Sequence, residues 1–179
     1  DVRGFTTISE GLDPKQLSQL MNEFLTPLTE VIYKHRGTVD KFMGDCIMAF
    51  WGAPLADPAH ARNGILAGLE MHEILKKLKP QFQARGWPEI RIGVGLNTGR
   101  MSVGNMGSKL RTAYTVRGDA VSLASRLEGS TKQSGADLIV CEATKDAVRE
   151  GVCREVSRGR ATGQKEEVAR WGPRADKGS

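Results

Sequence analysis

The residues of this chain best suited to chemistry stand in three separated segments. Asp1 opens Asp-Val-Arg-Gly-Phe-Thr, Asp45 closes Lys41-Phe-Met-Gly-Asp, and Thr115 begins Thr-Val-Arg-Gly-Asp-Ala-Val-Ser-Leu-Ala-Ser-Arg, which ends at Arg126. Each of the two acids lies beside a glycine turn signal, while Lys41 and Arg126 supply fixed positive charge. Two carboxylates that hold divalent cations, with a guanidinium to offset developing charge, form the inventory of phosphoryl-type chemistry on a polyphosphate. Taken alone, Asp45 reads as an ordinary hairpin turn residue and Asp1 as a terminal acid. Only their joint occurrence points to a site.

The elements that must position these residues are legible from periodicity. Apolar residues recur at helical spacing through Leu17, Leu20, Met21, Phe24, Leu25, Leu28, Val31 and Ile32, after the start signal Asp13-Pro14 and before Gly37. From Thr38 to Trp51 two short strands are predicted around Gly44-Asp45, which puts Asp45 at a hairpin tip. A second long helix is expected from about Pro58 to Ala84, closed by Gly86-Trp87-Pro88. Ile90, Ile92, Val94 and Leu96 alternate as a half-buried strand, and Thr98-Gly99 is expected to fold it back on a partner containing Met101 and Val103. Asn105 to Arg111 reads as a glycine-rich, basic arm or loop before a short strand at Ala113 to Val116. A helix from about Asp119 to Lys132, a buried strand at Leu138 to Cys141, a short helix over 143–149 and a strand pair at Cys153 to Ser157 and Glu167 to Trp171 complete the order. This pattern predicts an α+β fold, with helices covering one face of a mostly antiparallel sheet. A ligand carboxylate normally projects from a strand end, so a further central strand is expected upstream of Asp1. Residues 1–171 are read as one domain and 172–179 as a disordered tail.

Bulk properties narrow the partners. With 179 residues, 39% hydrophobic and 26% charged, the chain has room for one well-packed domain and the composition of soluble globular proteins. The three cysteines include no Cys-x-x-Cys pair, which argues against a disulfide framework or zinc site and for a cytoplasmic, reducing setting. A net charge of +5 and a pI near 9.3 suit a polyanion, and a nucleoside triphosphate meets that need as well as nucleic acid does. The basic run Ser108-Lys109-Leu110-Arg111 has no interleaved aromatics, so a solvated arm is favoured over a nucleic-acid surface. Gly93-x-Gly95 with Gly99 has the wrong spacing for dinucleotide binding, and His35, His60 and His72 lack metal-ligand spacing.

In this order, the three segments resemble the catalytic domain of class III adenylate cyclases. The resemblance implies a ferredoxin-like, palm-type βαββαβ core and conversion of ATP to 3′,5′-cyclic AMP and pyrophosphate. It implies that Asp1 and Asp45 are the metal ligands for two Mg2+ or Mn2+ ions. The turn of Gly4, Phe5 and Thr6 would cradle the β and γ phosphates, with Arg100 contacting the triphosphate from the hairpin side. Lys41 corresponds to the lysine that donates to adenine N1, and Thr115 to the residue that accepts from the exocyclic amine. Guanylate cyclases typically carry Glu and Cys at these two positions. Arg126 matches the arginine that stabilises charge on the α-phosphoryl group. Ser122 departs from the family asparagine that orients the ribose, four residues before that arginine. A second departure is Ala161-Thr162-Gly163-Gln164-Lys165, where relatives often carry Lys-Gly-Lys, leaving Lys165 as a substitute.

The resemblance further implies a homodimer with composite sites, Asp1 and Asp45 coming from one subunit and Lys41, Thr115 and Arg126 from the other. It also implies an upstream sensor or membrane domain. The two departures leave open a nucleotide-binding regulatory module that keeps the fold without turnover. A polymerase-like nucleotidyltransferase is disfavoured because no basic, aromatic template surface is evident. Diguanylate cyclase activity is disfavoured because its Gly-Gly-Asp/Glu-Glu-Phe signature is absent.

Overall fold

The computed structural model describes residues 1–148 and the strands Cys153–Arg160 and Glu167–Pro173. It divides into two compact units, Asp1–Ile92 and Gly93–Ser179. The first unit runs α1 (Phe5–Glu10), α2 (Pro14–Lys34), β1 (Thr38–Met43), β2 (Cys46–Phe50) and α3 (His60–Ala84). Asp13 starts α2 with a reciprocal cap: its carboxylate accepts from the Gln16 N–H at 2.8 Å, and the Gln16 side chain accepts from the Asp13 N–H at 3.4 Å. Proline at the first helical turn costs nothing there, because the N–H it lacks has no intrahelical partner in any case. The buried face of α2, Leu20, Phe24, Leu28, Val31 and Ile32, is the periodic set legible in the sequence. Opposite it in the chain order, α3 buries Ile65, Met71, Leu75 and Phe82.

Asp57, just ahead of α3, is buried. Its carboxylate accepts from the Ala59 N–H at 2.9 Å and from the Asn63 amide at 2.7 Å, with the Arg36 guanidinium 3.8 Å away. Burial pushes this carboxyl up, but the Ala59 N–H, Asn63, Arg36 and His60 outweigh it and hold its pKa below the usual value. A carboxyl depressed in the folded state adds stability that is fully present above its unfolded pKa of about 4 and is lost as pH falls through the folded value. Asp57→Asn should therefore lower the thermal midpoint at neutral pH, and should flatten its fall between about pH 5 and 3, as read in parallel melts.

The second unit runs β3 (Val94–Leu96), β4 (Ser102–Ser108), β5 (Arg111–Arg117), α4 (Asp119–Ser134), β6 (Leu138–Cys141), α5 (Glu142–Asp146), β7 (Cys153–Arg160) and β8 (Glu167–Pro173). Its sheet has the order β3-β6-β8-β7, parallel between β3 and β6 and antiparallel elsewhere. β4 and β5 form a separate antiparallel ribbon. The hairpin expected to join the alternating strand to Met101 and Val103 does not form. Val94 to Leu96 pair instead with Leu138 to Val140, and Val103 pairs with Val116. All four residues of β6 are buried, and the main-chain N–H and C=O groups of a buried strand need partners along both edges, which β3 and β8 supply and local alternation near Ile90 cannot express. Ile90 and Ile92 are buried as expected, but Ile92 bridges Val2 in antiparallel sense rather than extending β3.

The stretch from Asn105 also differs from a loop, because its main chain is paired through Asn105↔Tyr114, Met106↔Ala113 and Gly107↔Thr112. β8 reaches Pro173, so Gly172 and Pro173 pair with Arg154 and Cys153 instead of beginning a tail. Residues 174–179 lie outside the described residues.

Packing between β3 and α4 is unusually close. A Cβ on Gly95 would sit 2.3 Å from the Glu128 main-chain nitrogen and 2.4 Å from the Ala124 carbonyl oxygen. Both atoms are helix backbone and cannot rotate away. Gly95→Ala should thus cost about 3 kcal/mol through overpacking, seen as a drop of about 10 °C in the thermal midpoint.

Candidate active site

The β1–β2 hairpin is in register from Thr38↔Phe50 to Met43↔Cys46. Its two-residue turn has Gly44 at φ 63° followed by Asp45, the order a tight turn prefers when its first central residue must be left-handed. The Asp45 carboxylate accepts from the Val2 N–H at 3.1 Å. Val2 is in turn fixed by its bridge to Ile92 and by a side chain only 4% exposed, and the Arg3 N–H donates to the Arg91 carbonyl at 2.8 Å. The first and second chemistry-bearing segments therefore meet at one corner, and both Asp1 and Asp45 are half-buried there. From this corner the chain turns through Gly4, at φ 62°, into α1. The first bond of that helix runs from the Ile8 N–H to the Gly4 carbonyl, so the N–H groups of Phe5 and Thr6 have no partner within it.

Among the described residues no group of three or more His, Cys, Asp or Glu side chains converges. A pair of carboxylates is nonetheless a fitting donor set for a hard cation that keeps waters and takes its other oxygens from nucleotide phosphates. Asp1 and Asp45 fit that description.

Lys41 projects from β1 as an exposed side chain, four residues before Asp45. The pairing steps from Val39↔Ala49 to Lys41↔Met48, which leaves Asp40 as an extra, bulged residue. The Lys41 ammonium lies 3.7 Å from the Asp40 carboxylate, which is 1% exposed.

The remaining candidates belong to the second unit. Thr115, on β5 opposite Gly104, is buried. Ser122 and Arg126 are four residues apart on α4 and so share a helix face. Ser122 is exposed and Arg126 half-buried, and the Arg126 Nε is a buried donor without a hydrogen-bond partner among the described residues. A desolvated guanidinium N–H is costly to leave unmet, which suits a group waiting for an anion. Arg100 is exposed, just past the Thr98 hydroxyl that hydrogen-bonds Thr144 at 2.8 Å. Asn97 escaped the sequence reading; its amide donates to the Ala120 carbonyl at 2.8 Å and ties the end of β3 to the start of α4. An asparagine directly after an alternating strand was the available signal. Lys165 lies outside the described residues.

The model of the adenylate and guanylate cyclase catalytic domain family matches residues 1–168. The chain belongs to this family. As a cyclase catalytic domain it is 39% identical to Adenylate cyclase 1 of Rhizobium meliloti over 153 residues, 83% of this chain and 23% of that protein. It is 33% identical to an adenylate cyclase of Anabaena cylindrica over 159 residues, 87% of this chain and 30% of that protein. The cyclase domain thus spans a quarter to a third of these relatives. Among solved structures it resembles the adenylyl cyclase CyaB from P. aeruginosa, with a TM-score of 0.89 and 32% identity over 98% of this chain and 91% of that one. It resembles the guanylyl cyclase Cya2 equally, at TM-score 0.88 and 32% identity over 99% and 91%. Cyclase domains of both purine specificities share this fold, so the fold does not choose the base.

Proposed function

We propose that this cyclase domain converts ATP to 3′,5′-cyclic AMP and pyrophosphate in a homodimer with composite sites. The observation that carries the reading is the hydrogen bond from the Val2 amide to the Asp45 carboxylate, which gathers the two acids of the family pattern at one corner. Two relatives named as adenylate cyclases support it. Asp1 and Asp45 would hold two Mg2+ or Mn2+ ions, which when bound lower the pKa of the ribose 3′ hydroxyl and draw charge from the triphosphate.

The chain's own groups do the rest. The main chain at Gly4, Phe5 and Thr6 and the Arg100 guanidinium bind the β and γ phosphates. Lys41 donates to adenine N1, where guanine presents an N1–H donor, and Thr115 accepts from the 6-amino group, where guanine presents a carbonyl. Two mismatched polar contacts in a desolvated pocket reject the wrong purine strongly. Arg126 offsets the charge that grows on the α-phosphoryl group as the 3′ oxygen attacks and pyrophosphate leaves. Ser122, one helical turn away, meets the ribose with a hydroxyl shorter than the asparagine it replaces, so ribose positioning is looser. The palm-type βαββαβ core, a cytoplasmic location and an upstream sensor or membrane domain belong to the same proposal. No described helix is long and apolar enough to cross a membrane.

The test is product analysis by thin-layer chromatography after incubation with radiolabelled ATP or GTP and Mn2+. Cyclic AMP as the dominant product is expected. A dimer that binds ATP and forms no cyclic product would mark a regulatory module instead.

A further inference from the structure

We propose that Asp40 is a positioning residue for Lys41 and thereby sets the preference for ATP over GTP; this rests on the reading of Lys41 as the group that meets the purine. Aspartate is depleted inside strands, and a carboxylate buried to 1% exposure must be compensated by something near it. Neighbouring side chains on a regular strand point to opposite faces, so Asp40 and Lys41 should diverge. They do not, because the extra residue between Val39↔Ala49 and Lys41↔Met48 breaks the alternation and leaves the ammonium 3.7 Å from the carboxylate. Bulges beside active sites commonly re-aim a side chain in this way.

The chemistry explains why a lysine there needs an anchor. Its ammonium is a point donor on a flexible four-carbon stem. Unrestrained, it can donate to adenine N1, but it can equally swing to the O6 acceptor of guanine and escape the N1–H. Held at one depth by a buried carboxylate at its own strand, it meets the N1 position and little else. Asp40, almost wholly buried, does not itself touch the base. It acts by restricting where the Lys41 charge can go.

The experiment is a double-mutant cycle of Asp40→Asn and Lys41→Ala, with kcat and KM measured for ATP and for GTP and thermal melts run alongside. Asp40→Asn should raise KM for ATP more than it lowers kcat, and should reduce the ATP-to-GTP ratio of kcat/KM about tenfold. On the Lys41→Ala background the same substitution should change that ratio by less than about twofold, because the residue it acts through is gone. Asp40→Glu keeps the charge and should hold the ratio within about threefold of the parent, which also covers the case in which Asp40→Asn folds poorly. A ratio unmoved by Asp40→Asn, or moved equally on both backgrounds, overturns the proposal while leaving Lys41 as the base reader. If Lys41→Ala alone leaves the ratio unchanged, the base-reading role fails, and the role of Asp40 with it.

Discussion

Asp45→Asn should fold, dimerise and melt close to the parent, yet form cyclic AMP at least about 10³-fold more slowly, since charge stabilisation at a metal site contributes several kcal/mol to the barrier. The substitution is chosen for what it preserves. The amide oxygen of asparagine can still accept from the Val2 N–H, so the hydrogen bond that closes the corner survives, as does the tight turn after Gly44. What disappears is one of two negative charges, and among the described residues no group of three or more His, Cys, Asp or Glu side chains converges to make up the loss. Asparagine is a neutral oxygen ligand, so raising Mn2+ should recover only a small part of the rate. Steady-state assays across a range of Mn2+ and ATP concentrations, with a melt as the control for folding, decide the matter. A rate within about tenfold of the parent would show that Asp45 is only a turn residue, the plain reading of a Gly-Asp tip.

Much of the frame that holds Asp45 is legible in the sequence because it is local. The cap at Asp13 and Gln16, the apolar face from Leu20 to Ile32 and the Gly44-Asp45 turn each depend on residues within a few positions of one another. The partner of β3 is not local: Val94 pairs with Leu138, more than forty residues on, and nothing in the alternation at Ile90 to Leu96 specifies a parallel neighbour over an antiparallel hairpin. The bulge at Asp40 is hidden for a similar reason. A strand pattern gives the facing of each residue only if the register is unbroken, and the break appears only once Met48 is seen opposite Lys41. Candidate site residues are recognisable one by one from their motifs, but the unmet Arg126 Nε and the buried Asp40 carboxylate are properties of packing.

The strongest consequence of a composite site is that two inactive chains should rescue each other. Arg126→Ala removes the cation proposed to offset charge at the α-phosphoryl group and should cut turnover by about 10²- to 10³-fold on its own. Mixed in equal amounts with Asp45→Asn and allowed to exchange subunits, half of the dimers pair one variant with the other. In each such dimer one site joins the intact acids of the Arg126→Ala chain to the intact Arg126, Lys41 and Thr115 of the other chain, and the second site is doubly defective. About a quarter of the parent activity should return. The reciprocal mixture sharpens the test. A chain carrying both substitutions, mixed equally with the parent, spoils both sites of every mixed dimer, so about a quarter of the activity remains, whereas sites built within single chains would leave about half. The two mixtures read the same geometry from opposite directions: Lys41 and Asp45 share one hairpin, yet a composite site requires them to serve different nucleotides. No rescue in the first mixture together with half-activity in the second would place the whole constellation within one chain.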